Sequence, residues 1–398
     1  MAKVAVTGMG IISSIGKTIE ETFHSLVTET HGISKTDFLD TKLKDSRLFG
    51  EIKLSNDQLA EVLGLPADHP YPRTALLGCY ALREAVKNAG ITDLNSCREG
   101  FINATSVGGM DTTEQYWTSY KESTEHLRFV MNHESGNITN IIADFIGLKG
   151  FTTTISTACS SAANAIMLGA RMIEAGQVDR IFVGGTDALS KFTVNGFNTL
   201  MILTDGYNQP FDQNRKGLNL GEAAAYLVLE SDALVKKHYR KVLAYITGFG
   251  NANDAYHQTA SSETGEGNFL AMSKALEEAQ ISPEAIDYIN AHGTATPNND
   301  LSEGRSVLRV FSNNPPEISS TKPFTGHTLA AAGGIEAVFS ILALQNQVIF
   351  PNLNFVTPME DVAIRPETTL KKKDMKHVLS NSFGFGGNCS SLIISKAE

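Results

Sequence analysis

One cysteine stands where a thiol could act as a nucleophile. The run Phe151 to Thr157 is rich in β-branched residues and predicts a strand, and Cys159 follows it just before a helix-like run from Ala162 to Ala175. A thiol at a helix N-terminus is expected to have a lowered pKa, because the helix dipole and free N–H groups stabilise the thiolate. A buried structural cysteine is the alternative interpretation. Two histidine motifs and a Gly-rich segment elsewhere in the chain favour the nucleophile.

Both histidine motifs follow predicted strands. His292 lies in the segment 290–296, directly after the apolar run 286–289, and His327 ends the segment 319–327, ahead of an Ala-rich helix. The carboxyl end of a strand is where an α/β sheet exposes functional groups. Two imidazoles in such turns predict catalysis. A zinc site is disfavoured, because the sequence offers neither short chelate spacing nor a fourth ligand.

The segment 380–388 holds three glycines in four positions, which lets the backbone approach a ligand closely. A tight turn between two strands is the plain alternative, and a phosphate cradle would need a lysine that does not follow. A thiol, two imidazoles and a loop of N–H donors together predict acyl transfer through a thioester. These residues do not decide which acyl group is carried, or whether carbon–carbon bonds are made or broken.

The composition excludes several partners. The chain has 398 residues, of which 42% are hydrophobic and 19% charged, and a formal net charge of -10. This balance argues against nucleic acid or a membrane surface as the main partner. The longest apolar run, 335–344, is shorter than a membrane span, and the N-terminus turns at Gly8 before a signal peptide could form. The four cysteines are expected to be reduced thiols in the cytoplasm: Cys79, Cys97, Cys159 and Cys389.

The alternation of strands and helices predicts an α/β fold with a two-sided sheet. The motif 6–10 reappears as 246–250, and the unit 155–177 returns as 318–347. Two echoes in the same order predict an internal duplication. We expect an N-terminal half, 1–240, that carries the cysteine, and a C-terminal half, 241–398, that carries the histidines.

In combination these motifs resemble the β-ketoacyl-acyl-carrier-protein synthases, the elongating condensing enzymes of the thiolase superfamily. The resemblance covers nearly the whole chain and implies the thiolase fold, a duplicated α-β-α-β-α architecture of five layers with two pseudo-symmetric halves. The segment 217–225 also resembles ketosynthases of aryl-polyene or flexirubin-type pigment clusters. The motifs are Thr157-Ala-Cys-Ser160, Pro210-Phe-Asp212, Gly221-Glu-Ala223, Asn290-Ala-His-Gly-Thr-Ala-Thr296, Ser320-Thr-Lys-Pro-Phe-Thr-Gly-His327 and Phe383-Gly-Phe-Gly-Gly387.

The resemblance implies the roles of the reacting groups. Cys159 takes an acyl chain from the phosphopantetheine arm of an acyl carrier protein, and the backbone N–H groups of Cys159 and Phe385 form the oxyanion hole. His292 and His327 stabilise the enolate that forms when a malonyl carrier loses carbon dioxide. The carbanion then attacks the acyl group and lengthens it by two carbons. Lys322 sets the electrostatics and is expected to pair with Glu303.

The resemblance also implies the surroundings of these groups. Thr294 and Thr296 line the malonyl pocket, Phe197 and Val107 border the acyl channel, and Phe383 and Phe385 belong to the gating loop. A monovalent cation is implied more weakly, and no other metal or cofactor is expected. The expected partners are an acyl carrier protein and a second subunit, in a homodimer or in a heterodimer with a chain-length subunit. The implied cation ligands are Asn290, Glu336, Ser380 and Asn381.

Three departures bear on the pathway. Ser160-Ser161 replaces the usual small residues after the nucleophile, and Met201 replaces a carrier-docking arginine. The segment Pro297-Asn-Asn-Asp300 replaces the usual Pro-Leu-Gly-Asp. They question a role in primary fatty-acid synthesis and leave the chemistry intact. A docking patch for the acidic carrier is predicted elsewhere, with the charge run 371–373 as a rival. The patch residues are Arg73, Lys121 and Arg128.

Three alternatives stay open. A degradative thiolase would use one histidine and a second cysteine, for which Cys389 is the candidate. An initiating ketoacyl synthase would use Cys, His and Asn, and His327 disfavours it. A non-catalytic chain-length subunit typically lacks the nucleophile, so Cys159 indicates an active subunit.

Overall fold

The computed structural model describes residues 4–397. Ten of its strands form one mixed sheet, and two short strands form a separate ribbon. Strands β4 and β5 are almost wholly buried, as expected for strands covered by helices on both faces. The strands are β1 (Val4–Ser13), β2 (Glu99–Ala104), β3 (Phe151–Ile155), β4 (Arg180–Asp187), β5 (Ala223–Ser231), β6 (Ala244–Asn253), β7 (Tyr288–Asn290), β8 (Glu317–Ser319), β9 (Val348–Ile349), β10 (Lys371–Lys372), β11 (His377–Phe383) and β12 (Asn388–Lys396).

The large sheet has a mirrored order, β3-β2-β4-β5-β1-β6-β12-β11-β7-β8. Parallel pairs stand at both ends: β2 lies between β3 and β4, and β7 lies between β8 and β11. The two sets of five meet where β1 runs antiparallel to β6, with Val4 opposite Ile246. The predicted α/β fold with two pseudo-symmetric halves is confirmed.

Helices form three layers around these strands. Helices α7 and α13 lie in the largest core cluster together with strands of both halves. Helices α2, α3 and α6 cover the N-terminal set of strands, and α10 and α11 cover the C-terminal set. The helices are α1 (Ile19–Val27), α2 (Asn56–Leu63), α3 (Arg73–Asn88), α4 (Met110–Tyr116), α5 (Thr124–Val130), α6 (Ser135–Ile146), α7 (Ser161–Glu174), α8 (Lys191–Thr199), α9 (Asp232–His238), α10 (Glu266–Ala279), α11 (Pro297–Val310), α12 (Lys322–Thr325) and α13 (Ala332–Asn346).

The repeated Gly-x-Gly motif has the same packing role in each half. A Cβ atom on Gly10 would lie 2.1 Å from the carbonyl oxygen of Ala81 in α3. A Cβ atom on Gly250 would lie 2.1 Å from the carbonyl oxygen of Ala271 in α10. Glycine therefore lets the outer helix contact the strand backbone in both halves, which explains the echo between 6–10 and 246–250.

Among the described residues, one helical stretch reaches membrane-spanning length, contrary to the expectation from the apolar run alone. The stretch Leu329–Asn346 has 18 residues and a mean hydropathy of 1.4, because a short 3₁₀ turn before α13 extends it. It is 89% buried inside the protein. Its apolar character is that of a core helix, packed between the two halves of the sheet.

Candidate active site

Cys159 lies on a tight turn between β3 and α7. Ala158 adopts a left-handed φ of 51° there. Ser161 stabilises this turn, because its Oγ accepts a hydrogen bond from the Thr157 N–H (2.8 Å) and donates one to the Ala158 carbonyl (2.6 Å). The thiol is thereby presented just before the first turn of α7, where Cys159 is only 6% exposed.

The expected low pKa of this thiol is wrong. Burial raises the pKa of Cys159 to about 11, against smaller lowering effects from the Phe385 N–H, the Lys322 ammonium and its own N–H. Desolvation penalises the thiolate more than these groups stabilise it. The resting nucleophile is a protonated thiol.

The fold brings the two histidines to this thiol. One ligand atom each from Cys159, His292 and His327 lies within 4.8 Å of the others, and all three residues are buried. The imidazole rings meet edge to face, with centroids 5.5 Å apart. Three such atoms also resemble a partial metal site, so the disfavoured zinc stays a prediction that metal analysis must test.

Each imidazole is held in one tautomer. The Leu329 N–H donates to Nδ1 of His327 at 3.1 Å, and the Lys322 ammonium lies 3.3 Å from Nδ1 of His292. Because Nδ1 accepts in both rings, the remaining proton of each neutral ring lies on Nε2. Burial lowers the pKa of both histidines well below the usual value, and the Lys322 charge lowers them further. Both rings are therefore neutral N–H donors at neutral pH.

Lys322 pairs with Glu336, so the expected pairing with Glu303 is wrong. The ammonium lies 2.5 Å from Oε1 of Glu336 and 2.5 Å from the His292 carbonyl. Burial raises the pKa of Glu336 to about 7, and Lys322 opposes that rise. Glu303 instead accepts hydrogen bonds from the main-chain N–H groups of His292 (2.9 Å) and Gly293 (2.7 Å). It supports the backbone of the histidine turn.

The Gly-rich loop closes over the thiol from the C-terminal half. A Cβ atom on Gly384 would lie 2.9 Å from the Thr157 carbonyl and 3.2 Å from the Cys159 nitrogen, so only glycine permits this approach. The main-chain N–H groups of Phe385 and Cys159 both lower the pKa of the thiol, against the larger effect of burial. Phe383 lies against the His292 ring, with centroids 6.0 Å apart.

Two cavities meet at the thiol and share Phe197 and Phe385, whose rings stack at 5.8 Å. The first, of about 530 Å³, is apolar and is bordered by Val107 and Phe197. The second, of about 300 Å³, holds both histidines with Thr294 and Thr296. Sequence reasoning missed further lining residues, which carry no motif: Met110, Phe192, Leu200 and Leu329 in the first cavity, and Ile202, Thr259 and Ser261 in the second.

The proposed cation ligands fit in part. Asn290 is fully buried, and neither polar atom of its side chain has a hydrogen-bond partner within residues 4–397; Oε2 of Glu336 is also unpartnered there. Ser380 stands opposite Asn290 in the β11–β7 register. The amide oxygen of Asn381 accepts a bond from Ser391. Two free oxygens therefore suit a hard monovalent cation, while Asn381 is already engaged.

The predicted docking patch is wrong at Arg73. Arg73 is only 7% exposed, and its guanidinium group donates two hydrogen bonds to Glu222, at 2.9 and 2.7 Å. It therefore supports the fold and is not free to bind a partner. Arg128 lies 3.7 Å from Asp68, and Lys121 is exposed. These two residues remain a prediction.

Cys389, the candidate second cysteine of a thiolase, lies in β12 and donates to Asn268 at 3.1 Å. It packs in a small apolar cluster with Phe383, and burial raises its pKa well above the usual value. It does not join the group of three around Cys159.

Residues 1–234 match the family described as beta-ketoacyl synthase, N-terminal domain, and residues 243–356 match the C-terminal domain of the same family. The chain belongs to the β-ketoacyl synthase family. It is therefore a condensing ketosynthase, an acyltransferase.

Relatives of this family match almost end to end. The chain is 32% identical to the 3-oxoacyl-[acyl-carrier-protein] synthase 2 of Vibrio harveyi, over 99% of this chain and 98% of the relative. A Staphylococcus aureus (strain N315) protein of the same name is 32% identical, over 100% and 99%.

Among solved structures, the ishigamide ketosynthase/chain length factor has a TM-score of 0.93 at 27% identity and covers 100% of both chains. The ketosynthase ApeO in complex with its chain length factor ApeC, from Xenorhabdus doucetiae, has a TM-score of 0.87 at 30% identity, over 100% and 98%.

Proposed function

We propose that the chain catalyses decarboxylative condensation of a malonyl group with an acyl chain, both delivered as thioesters on an acyl carrier protein. One observation carries the proposal. A buried thiol stands where an apolar and a more polar cavity meet, and it faces two imidazoles that are held as Nε2–H donors.

The first half-reaction is acyl transfer to Cys159. Its sulfur attacks the thioester carbonyl, a new S–C bond forms, the bond from the carbonyl to the pantetheine sulfur breaks, and the proton of the thiol leaves with the pantetheine thiol. The N–H groups of Cys159 and Phe385 receive the oxyanion. The acyl chain occupies the 530 Å³ cavity, bordered by Val107 and Phe197.

The second half-reaction is condensation in the smaller cavity. The malonyl carboxylate leaves as carbon dioxide, and Nε2–H of His292 and of His327 stabilise the enolate oxygen. The carbanion attacks the acyl carbonyl, the bond to Cys159 breaks, and the released thiolate takes a proton. Thr294 and Thr296, whose hydroxyl oxygens are 2.9 Å apart, lie beside the malonyl group. The product is a β-ketoacyl thioester that is two carbons longer.

Charged groups around the histidines support this step. Lys322 fixes the tautomer of His292 and neutralises Glu336. A monovalent cation held by Asn290 and Glu336 would supply further charge neutralisation there. No other cofactor is required, since the carrier brings its own phosphopantetheine.

The assembly is a dimer of two copies or of this chain with a related chain-length subunit, and it acts in the cytoplasm. Relatives are named for an acyl carrier protein or were solved with a chain length factor, which supports both partners. The resemblance of segment 217–225 to pigment-cluster ketosynthases favours a polyene or aryl-polyene chain over a saturated fatty acid.

Intact-protein mass spectrometry with a panel of saturated, polyene and aryl-primed acyl carriers tests this function. We expect an acyl adduct on Cys159 and, after addition of malonyl carrier, release of a chain two carbons longer. An adduct confined to Cys79, Cys97 or Cys389 would contradict the proposal. The acyl group that loads fastest identifies the pathway class.

A further inference from the structure

The side chain of Asn388 joins the Gly-rich turn to the nucleophile helix. Its Oδ1 accepts hydrogen bonds from Ser160 Oγ (2.8 Å), Asn164 Nδ2 (2.8 Å) and Asn251 Nδ2 (2.9 Å). Ser160 and Asn164 come from the start of α7, whereas Asn251 lies in β6. One amide oxygen therefore links segments from both halves of the protein.

The donors to Asn388 are themselves connected. Oδ1 of Asn164 accepts from Asn251 Nδ2 (3.1 Å) and from Ser390 Oγ (2.7 Å), and Nδ2 of Asn164 also donates to Thr157 Oγ1 at 2.9 Å. Ser160 and Ser390 are fully buried. Such a connected network in a low-dielectric setting holds its members in one arrangement.

This network bears on the oxyanion donors. The main-chain carbonyl of Asn388 accepts from the Gly384 N–H at 2.8 Å and so closes the turn that contains Phe385. The Phe385 turn packs against Cys159, since a Cβ atom on Gly384 would lie 3.2 Å from the Cys159 nitrogen, and Ser160 is the next residue after Cys159. Asn388 thus fixes the two N–H donors relative to each other. Within residues 4–397, its side chain forms hydrogen bonds to Ser160, Asn164 and Asn251 and none to either imidazole turn.

We propose that Asn388 is a positioning residue for acyl transfer, which it serves by holding the Phe385 turn against Cys159. This inference rests on the proposed function and adds to it. It also assigns a role to Ser160, since a residue without a hydroxyl group there would remove the hydrogen bond between Asn388 and the residue next to Cys159. The effect concerns attack on the acyl thioester and not decarboxylation of the malonyl group, because the enolate is stabilised by groups on other turns.

The test separates the two half-reactions. In Asn388→Ala we expect the rate of acyl-adduct formation on Cys159 to fall about tenfold or more, since removal of one oxyanion donor outright costs about 10²–10³-fold. Decarboxylation of malonyl carrier, measured as released carbon dioxide, should keep its wild-type rate. Ser160→Ala should show the same split with a smaller fall.

Ser395→Ala is the matched control. Ser395 lies at the far end of β12 and bonds to Thr247 (2.6 Å) and His377 (2.8 Å), so its loss weakens contacts of the same strand away from the thiol. It should leave both rates unchanged. Equal falls in both rates for Asn388→Ala, or an unchanged acylation rate, would overturn the inference.

Failure of this inference is distinguishable from failure of the proposed function. If the wild-type protein forms no adduct on Cys159, the proposed function is wrong. If it does so and the two rates do not separate in the variants, only the role of Asn388 is wrong. Should Asn388→Ala not fold, Ser160→Ala decides alone, since it removes one donor and keeps the remainder of the network.

Discussion

The two halves of the sheet use the same frame to place different groups. In the N-terminal half, β3 leads to Cys159 and then to α7; in the C-terminal half, β8 leads toward His327 and then to α13. Both helices lie in the central layer, and both sets of strands contact their outer helix through a Gly-x-Gly motif. The frame is repeated, while the turn between strand and helix has diverged.

The difference between these turns separates two tasks. The N-terminal turn presents a neutral thiol and an apolar cavity. The C-terminal turns carry the imidazoles and a buried ammonium–carboxylate pair, Lys322 with Glu336. Holding an acyl chain needs a nucleophile and space, whereas stabilising an enolate needs fixed donors and nearby charge. Variants in one half should therefore damage one half-reaction more than the other.

The largest effect is expected at Lys322. In Lys322→Met the tautomer of His292 is no longer fixed, so decarboxylation of malonyl carrier should fall about 10²-fold or more. The unpaired Glu336 should also lower the free energy of unfolding by about 3–5 kcal/mol. Carbon dioxide release and thermal unfolding measure the two effects.

The double variant Lys322→Met/Glu336→Leu separates them. It should regain most of the lost stability, because no unpaired charge stays buried. It should not regain decarboxylation. Recovery of both would show that Lys322 serves the fold alone.

The protonation of Cys159 sets the next effect. With a pKa of about 11 against the ordinary 9.0, the thiolate fraction at pH 8 is roughly 100-fold smaller than for an unperturbed thiol. Because the pKa is raised, alkylation of Cys159 by iodoacetamide should be slow at pH 8 and still rise between pH 9 and 10. An alkylation rate that levels off below pH 8 would show that the pKa of Cys159 is lowered, as the helix N-terminus predicted, and not raised.

The shared frame predicts equal sensitivity of the two glycine motifs. Gly10→Ala and Gly250→Ala both force a Cβ atom against a helix carbonyl and should each lower the free energy of unfolding by about 1–3 kcal/mol. Denaturant unfolding measures this. Gly206→Ala, where no atom lies within 4 Å of the added Cβ, is the control and should change little. If only one of Gly10→Ala and Gly250→Ala lowered the free energy of unfolding, the two glycine motifs would not have equivalent packing roles.

The smallest effect concerns the acyl cavity. Val107→Phe should reduce its depth, so loading of the longest accepted acyl carrier should slow by about tenfold while short chains load normally. Intact-mass kinetics with a chain-length series measures this. Equal slowing for every chain length would show that Val107 does not limit the length of the bound acyl chain.

Much of the fold and the reacting groups could be predicted from sequence. The strand-then-glycine pattern placed His292 just after a strand, whereas His327 lies farther from β8, beyond the short helix α12. The echo of 6–10 in 246–250 predicted the duplication. These features are local, and they are encoded in short segments. The gating loop with Phe385 could also be predicted, because three glycines in four positions permit a close backbone approach.

The remainder depends on burial and long-range contacts. The pKa of Cys159 was predicted in the wrong direction because desolvation depends on what covers the thiol, including the distant Phe385 turn. Arg73 was taken for a surface charge because nothing local shows its partner, Glu222. The pairing of Lys322 with Glu336 could have been predicted from the sequence. Glu336 is the one charged residue in the apolar helix α13, and a buried carboxylate needs a charged partner.

The most direct test compares Cys159→Ala and His327→Ala in the same two assays. Cys159→Ala should form no acyl adduct and still release carbon dioxide from malonyl carrier, whereas His327→Ala should form the adduct and release little. This opposite pattern follows if the N-terminal half holds the acyl chain and the C-terminal half activates the malonyl group. Loss of both activities in each folded variant would contradict that division.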